Sequence, residues 1–352
     1  MILTMIELNI TKKTRSMEQK IFQGHADHFD GIMDSQALVE KGILQKVLKD
    51  ALFNDVVKRR GYPDVTYLKY TEKEMGIDAI LVLNEETNTL EFISGYPTQN
   101  GVDIEVEIEE VYIWDNGIEA TIECSHDAWE FAFFATDYLQ HQKMYKKGNH
   151  IKVNLSALGI IVEKPMESFS FEGQQAIDWY TRTGQESRRD ENGNVLPAIF
   201  DLSKMVAFLN TKREIPDIAE FQSPVSSLEE QTFLGIDFLK TQICVCNHDN
   251  TKVEIPLFFR KEMMPQLKVG NPIRGCLWLS ANISIDEETL YQMLYDGKIS
   301  RLEFVKFQST EIRHEFYSFC RKKKYNADDK AAEKFFDWMF AEEEKAQTDG
   351  LD

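Results

Sequence analysis
From about Ser35 to Arg59 the apolar residues Leu38, Val39, Ile43, Leu44, Val47, Leu48, Leu52 and Val56 return every three or four positions. That spacing predicts one amphipathic helix, with Asp34 or Ser35 as its N-cap and Lys58-Arg59-Arg60 at its negative end. Gly61-Tyr62-Pro63 should stop it. The period then shortens. Val65–Tyr70, Ile77–Leu83 and Leu90–Ser94 read as strands, the last two a hairpin around the polar turn Asn84–Asn88, with Gly95-Tyr96-Pro97 and Asn100-Gly101 as punctuation. From Ile104 to Glu109 alternation is strict, which places Ile104, Val106 and Ile108 on one strand face and Glu105, Glu107 and Glu109 on the other. Glu110 breaks the phase, as a bulge would. Asp115-Asn116-Gly117 then predicts a hairpin turn, since Asn-Gly accepts positive φ, followed by strands Ile118–Cys124 and Ala128–Phe134 around His126-Asp127. Tyr138–Tyr145 reads as a single helical turn.

Further on, Thr183–Asn194 is poor in apolar residues and predicts an exposed loop. Leu202–Leu209 reads as a short helix and Lys212–Glu230, with Pro216 and Pro224, as a connector. Asp286–Tyr295 is helical and ends at Asp296-Gly297; Leu302–Phe307 reads as a strand. Ser309-Thr310 caps a helix over Glu311–Lys324, and a last helix runs from Asp328 to about Lys345. Its Phe335, Phe336, Trp338 and Phe340 cover more than one face, which implies burial within the fold.

One pattern occurs twice. Cys124, His126 and Asp127 recur as Cys246, His248 and Asp249, and the pair Phe133-Phe134 as Phe258-Phe259. Gly148-Asn149-His150-Ile151 leading to Leu155-Ser156-Ala157 recurs as Gly270-Asn271-Pro272-Ile273 leading to Leu279-Ser280-Ala281. The Cys-to-Gly separation is 24 in both copies; Gly to Ser is 8 in one and 10 in the other, a difference that keeps strand parity. A duplicated β-module follows. Short strands with a helical insertion before a Gly-led strand suit a small closed barrel of the oligonucleotide-binding (OB-like) type. The expected fold is therefore α+β. It comprises an N-terminal helix and hairpin unit (1–100), a first antiparallel β-barrel (101–183), a linker with a short helix (184–230), a second barrel (231–285) and a C-terminal helical segment (286–352).

The charge changes what these modules are expected to do. The chain carries 59 acidic and 40 basic side chains, net −19. Residues 101–163 hold 12 acidic and 4 basic residues, whereas 229–285 hold 6 of each. An acidic field repels phosphates and attracts basic partners. No apolar run approaches the roughly 18 residues of a membrane span. The five cysteines, odd in number and without a Cys-x-x-Cys pair, fit reduced thiols, so a cytoplasmic location is expected.

No Gly-x-Ser-x-Gly, Walker, Gly-x-Gly-x-x-Gly or His-Glu-x-x-His motif is present, so no catalytic residue and no cofactor is assigned. Ser156 and Ser280 are read as supporting turns at strand ends. Cys124, His126, Cys246 and His248 would make a two-Cys, two-His zinc set if the copies met tip to tip, but the single-residue spacing favours hairpin-tip chemistry with inward cysteines. His25, Asp27, His28 and Asp30 are a second set of metal-ligand type, equally explained as polar residues ahead of a helix. No metal site is assigned. The leading expectation is a non-enzymatic interaction protein that presents Glu105, Glu107 and Glu109 to a basic protein partner, as an inhibitor, immunity or adaptor protein would. The alternative is single-stranded nucleic-acid binding by the second barrel, through Lys240, Lys252, Arg260 and Arg274 beside Phe238, Phe258, Phe259 and Trp278. A third reading is an enzyme whose active-site residues are dispersed, which calls for a pocket with convergent carboxylates and histidine.

Overall fold
The alternating segments form strands, joined by several that the pattern conceals. The computed structural model describes residues 26–33, 42–59, 62–84, 87, 89–127, 129–166, 168–210, 217–248 and 251–349. Helices α1 (Ala26–Asp30) and α2 (Ile43–Asp50) precede an antiparallel sheet of β1 (Leu52–Val57), β2 (Val65–Glu72), β3 (Met75–Asn84) and β4 (Thr89–Gln99) in sequence order. The proposed N-cap, Asp34 or Ser35, lies outside the described residues. The expected long helix stops at Asp50, and Leu52–Val57 pairs instead with Val65–Lys69 of β2. Leu52 and Val56 fit a helical stripe, but a ready strand partner decides the matter, and Val56-Val57 are β-branched. The β3–β4 hairpin forms as expected; β4, however, runs through Gly95-Tyr96-Pro97 to Gln99.

The first copy of the repeat supplies β5 (Val102–Ile113), β6 (Ala120–His126), β7 (Trp129–Ala135), a helical turn α3 (Tyr138–His141) and β8 (His150–Glu163). The β5 bulge falls between Ile108 and Glu110, and Gly117 takes φ 66 in the turn beyond Trp114, as the sequence predicts. A small unit of β9 (Ser168–Phe171), α4 (Gly173–Thr183) and β10 (Ala198–Asp201) follows. The segment expected as a helix and a connector instead carries β11 (Ala207–Asn210), β12 (Ile218–Pro224) and the start of β13 (Glu229–Phe233). Pro224 is tolerated because it is the last residue of its strand. The second copy continues with β14 (Ile236–His248), β15 (Thr251–Arg260), a 3₁₀ turn at Lys261–Met263 and β16 (Pro272–Ile283).

Strands β16, β7, β6, β5 and β8 close into a five-stranded barrel, sealed by a ten-residue antiparallel pairing of β8 with β16. Each copy thus lends its last strand to the other: β16 runs parallel beside β7, and β15 parallel beside β8. Two free-standing barrels would each close on their own strands, whereas this ring closes with β16 of the second copy. The duplication is visible in hydrogen bonds. Ile108 N–H donates to Asn149 O and Gly148 N–H to Ile108 O, at 2.9 and 2.7 Å. Val225 N–H donates to Asn271 O and Gly270 N–H to Val225 O, at 3.0 and 2.8 Å. Ser156 and Ser280 face each other across the β8–β16 pairing and are buried. They do not support turns. Ile104, Val106, Ile122, Leu257, Phe259 and Leu279, drawn from both copies, share one core.

Four helices end the described chain: α5 (Glu287–Tyr295), α6 (Arg301–Lys306), α7 (Thr310–Lys323) and α8 (Asp329–Asp349). Leu302–Phe307, expected as a strand, is helical because Ser300 and Glu303 form a reciprocal capping box. Ser309 caps α7 as predicted. Phe335 is fully buried against Phe316 and Phe319, while Trp338 remains exposed. No described helix is long and apolar enough to cross a membrane.

Candidate functional site
Strand β5 pairs with β8 over Val102–Glu107 and with β6 over Glu107–Ile113, which fixes its alternation. Ile104, Val106 and Ile108 enter the core; Glu105, Glu107 and Glu109 stand exposed on the outer surface, roughly 7 Å apart along the strand. Register extends this acidic surface sideways. Glu107 lies opposite Ser125 of β6, and Ser125 opposite Glu130 of β7, which is also exposed. Glu110 lies opposite Glu123. The local compensation is light. Ser125 Oγ donates to Glu109 Oε1 at 2.9 Å, His150 Nε2 lies 3.8 Å from Glu107, and Lys147 binds the neighbouring Glu110 at 3.1 Å. Lys152, opposite Glu105 in register, reaches toward Asp286 at 3.9 Å. Glu105 makes no ion pair among the described residues.

The described members of the two candidate metal sets serve other roles. Cys124 and Cys246 point into the shared core beneath two hairpin tips, and burial holds the Cys124 thiol well above its ordinary range. His126 is partly exposed and its Nδ1 lies 2.7 Å from Glu105 O. Asp249 and His25 lie outside the described residues. His28 is buried, stacked on Trp278 at 4.1 Å, with its Nε2 3.9 Å from Asp217 Oδ2, which also accepts from the Trp278 indole N–H at 2.7 Å. It serves the packing between α1 and the barrel. Among the described residues no group of three or more His, Cys, Asp or Glu is placed to hold a metal ion.

The basic set is spread over the second copy, and every member is held by a carboxylate. Lys240 binds Glu74 at 2.8 Å, Lys252 binds Glu254 at 3.0 Å, Arg260 binds Glu262 at 3.0 Å and Arg274 binds Glu163 at 2.7 Å. Phe238, Phe258, Phe259 and Trp278 are fully buried and present no stacking surface.

Carboxylates and a histidine do converge where β1, α3 and the C-terminal helices meet. Asp55 is fully enclosed, accepting from the Tyr317 hydroxyl and from Gln140 Nε2, with Lys306 Nζ at 3.3 Å. Asp137 accepts from Tyr145 OH at 2.5 Å and Ile283 N–H at 3.0 Å, with His141 at 3.9 Å. His141 stacks on Phe307 at 4.3 Å, and burial holds its pKa below the usual value despite Asp137. Arg313 Nη1 donates to Lys306 O at 3.0 Å. Both carboxylates are hydrogen-bonded within this arrangement, whereas Arg313 Nε is buried without a hydrogen-bond partner among the described residues, and the arrangement joins three parts of the fold. Asp55, Asp137 and Arg313 lie far apart along the chain, so no local spacing links them; the interruption of an apolar run by Asp55 is the one local signal.

Comparison of the chain with protein-family models, with curated proteins and with solved structures finds no match.

Proposed function
We propose that the protein is a non-enzymatic binding protein that docks a basic protein partner on the acidic outer surface of the first barrel copy, in an inhibitor, immunity or adaptor role. The supporting observation is the exposed row of Glu105, Glu107 and Glu109 on a strand paired with β8 through its first half and with β6 through its second, continued by Glu123 and Glu130 on neighbouring strands. In the same reading the two copies are OB-like barrels that share strands, a stiff scaffold whose outer surfaces are free to diverge. Carboxylates held on a rigid sheet meet a cationic surface with little ordering of their own, and their field speeds encounter. Single-stranded nucleic acid is the weaker partner: Lys240, Lys252, Arg260 and Arg274 each lie within ion-pair distance of a carboxylate, and the net charge of −19 repels phosphate.

The test is affinity capture from native cell lysate with the wild-type chain and with the Glu105→Lys, Glu107→Lys, Glu109→Lys triple variant. A basic protein should be retained by the wild type at low salt. It should be released as ionic strength passes roughly 0.15 M, where the screening length falls to about 8 Å, and the triple variant should not retain it at all. Equal capture by the triple variant defeats the proposal.

A further inference from the structure
A second site, independent of the acidic surface, lies where the N-terminal sheet meets the β8–β16 joint of the barrel. There the β2–β3 turn, the end of β4 and the end of β16 enclose a half-open cleft of about 50 Å³, lined by Lys69, Glu74, Thr98, Gln99, Thr136 and Asn282 among others. One water requires roughly 10–15 Å³ of such space, so the cleft holds a few waters or one molecule of about five heavy atoms. At its floor Gln99 is 7% exposed; its Oε1 lies 3.4 and 3.3 Å from the hydroxyls of Ser156 and Ser280, while its Nε2 has no hydrogen-bond partner among the described residues. A buried amide donor without an acceptor is costly, and an oxygen of a bound molecule would relieve it.

Charges of both signs flank this donor. Lys69 is partly exposed and its Nζ stands 3.7 Å from Asp78 Oδ1, beyond a good hydrogen bond, so its protons remain available. Glu74, across the cleft, is engaged by Lys240 through Oε1 at 2.8 Å. Lys69 and Lys240 are thus already balanced by Asp78 and Glu74. A ligand with net charge would upset that balance; a zwitterion would not.

We propose that this cleft binds a small free amino acid of glycine or alanine size, its carboxylate on Lys69 and the Gln99 amide and its ammonium group on Glu74. The absence of any aromatic or large aliphatic wall other than Met75 agrees with a ligand that has almost no side chain.

Ligand-observed saturation-transfer NMR on the full chain tests this with glycine, alanine, leucine, acetate, methylammonium and glycerol. At about 1.5 kcal/mol per heavy atom a five-atom ligand is limited to low-micromolar affinity, so titrations extend to about 50 mM. Glycine and alanine should saturate, with leucine excluded by size. Lys69→Met and Glu74→Gln should each weaken glycine about tenfold or more, the loss expected for a charge-assisted hydrogen bond. Gln99→Leu should weaken it as well; should that buried variant fail to fold, the Lys69 and Glu74 variants at the partly exposed rim still decide. Acetate binding as tightly as glycine, glycine binding unchanged in Lys69→Met or Glu74→Gln, or no saturation by any amino acid overturns the proposal.

Discussion

Replacing Asp55 by alanine should loosen the C-terminal helices from the rest of the molecule. Its carboxylate is fully enclosed: Oδ1 accepts from Tyr317 of α7 and from Val56 N–H at 2.8 Å, and Oδ2 from Gln140 at 3.1 Å. Alanine leaves the Tyr317 hydroxyl and the Gln140 amide without acceptors, each worth about 1–3 kcal/mol while they stay buried. Lys306 is 19% exposed and recovers some hydration, but Arg313 loses a negative charge that offsets its own burial. Breaking a buried ion pair by deleting one partner costs about 3–5 kcal/mol, so Asp55→Ala is expected near ~4 kcal/mol, a large share of the 5–15 kcal/mol typical of a folded protein. Tyr317→Phe removes one donor and should cost about 1 kcal/mol. The double variant should lie well short of the sum, because both changes act on one contact. Urea unfolding gives the totals. Hydrogen exchange supplies the local readout: amides of Thr310–Lys323 should exchange faster in Asp55→Ala than those of β6 and β7. A loss under about 1 kcal/mol with unchanged exchange in that helix would refute the claim that Asp55 anchors it.

Other outcomes follow from the same contacts. Burial raises the Asp78 pKa above its ordinary value, so its ionised form opposes folding, and this penalty sets in as pH rises from about 3.8 through the raised folded value. Asp78→Asn should therefore stabilise the protein at neutral pH, with the gain fading toward acid in denaturant midpoints measured across pH. His141 has a lowered pKa in the fold, so its contribution is present above its ordinary value of 6.5 and is lost as pH falls from there toward the folded value. His141→Phe, which keeps the stack on Phe307, should flatten that part of the profile. Gly275→Ala should prevent soluble folding, since its Cβ would stand 1.8 Å from the Ile161 carbonyl oxygen; Gly148→Ala meets nothing within 4 Å and should cost only the strain of its positive φ, about 1–2 kcal/mol in thermal or urea unfolding.

What the sequence disclosed was local and repetitive. Strict alternation at Ile104–Glu109, the Asp115-Asn116-Gly117 turn and the Ser309 cap each depend on neighbours within a few residues, and each forms as read. Two elements with ambiguous period were resolved by partners elsewhere. Leu52–Val57 became a strand because β2 lies beside it, and Ile218–Pro224, hidden between prolines, became the neighbour of β16. The Leu302–Phe307 helix was legible in principle from Ser300 and Glu303, but its short apolar run resembles a strand equally well. The acidic row could be placed on one face without coordinates. The Asp55 junction and the Gln99 cleft could not, because each gathers residues more than 80 positions apart through packing alone.

The repeat gains a different meaning once its strands are paired. Copies that folded separately would keep their hallmark residues at turns and strand ends. Here Ser156 and Ser280 meet at the crossing of β8 and β16, so neither copy completes the barrel alone. The copies then diverge where the joint does not constrain them. In the first, β5 and β6 are joined by a backbone ladder from Glu107 to Ile113, bulged at Glu109, that carries glutamates on its outside. In the second, the corresponding seam between β12 and β14 consists of the Val225–Ile243 bridge and hydroxyl contacts. Ser223 Oγ accepts from Cys244 N–H at 2.9 Å, Ser227 Oγ from Gln242 N–H at 3.1 Å, and Thr241 donates to Ser227 O at 2.6 Å. The acidic surface lies on the first copy, and the cleft beside the β8–β16 joint that both copies share.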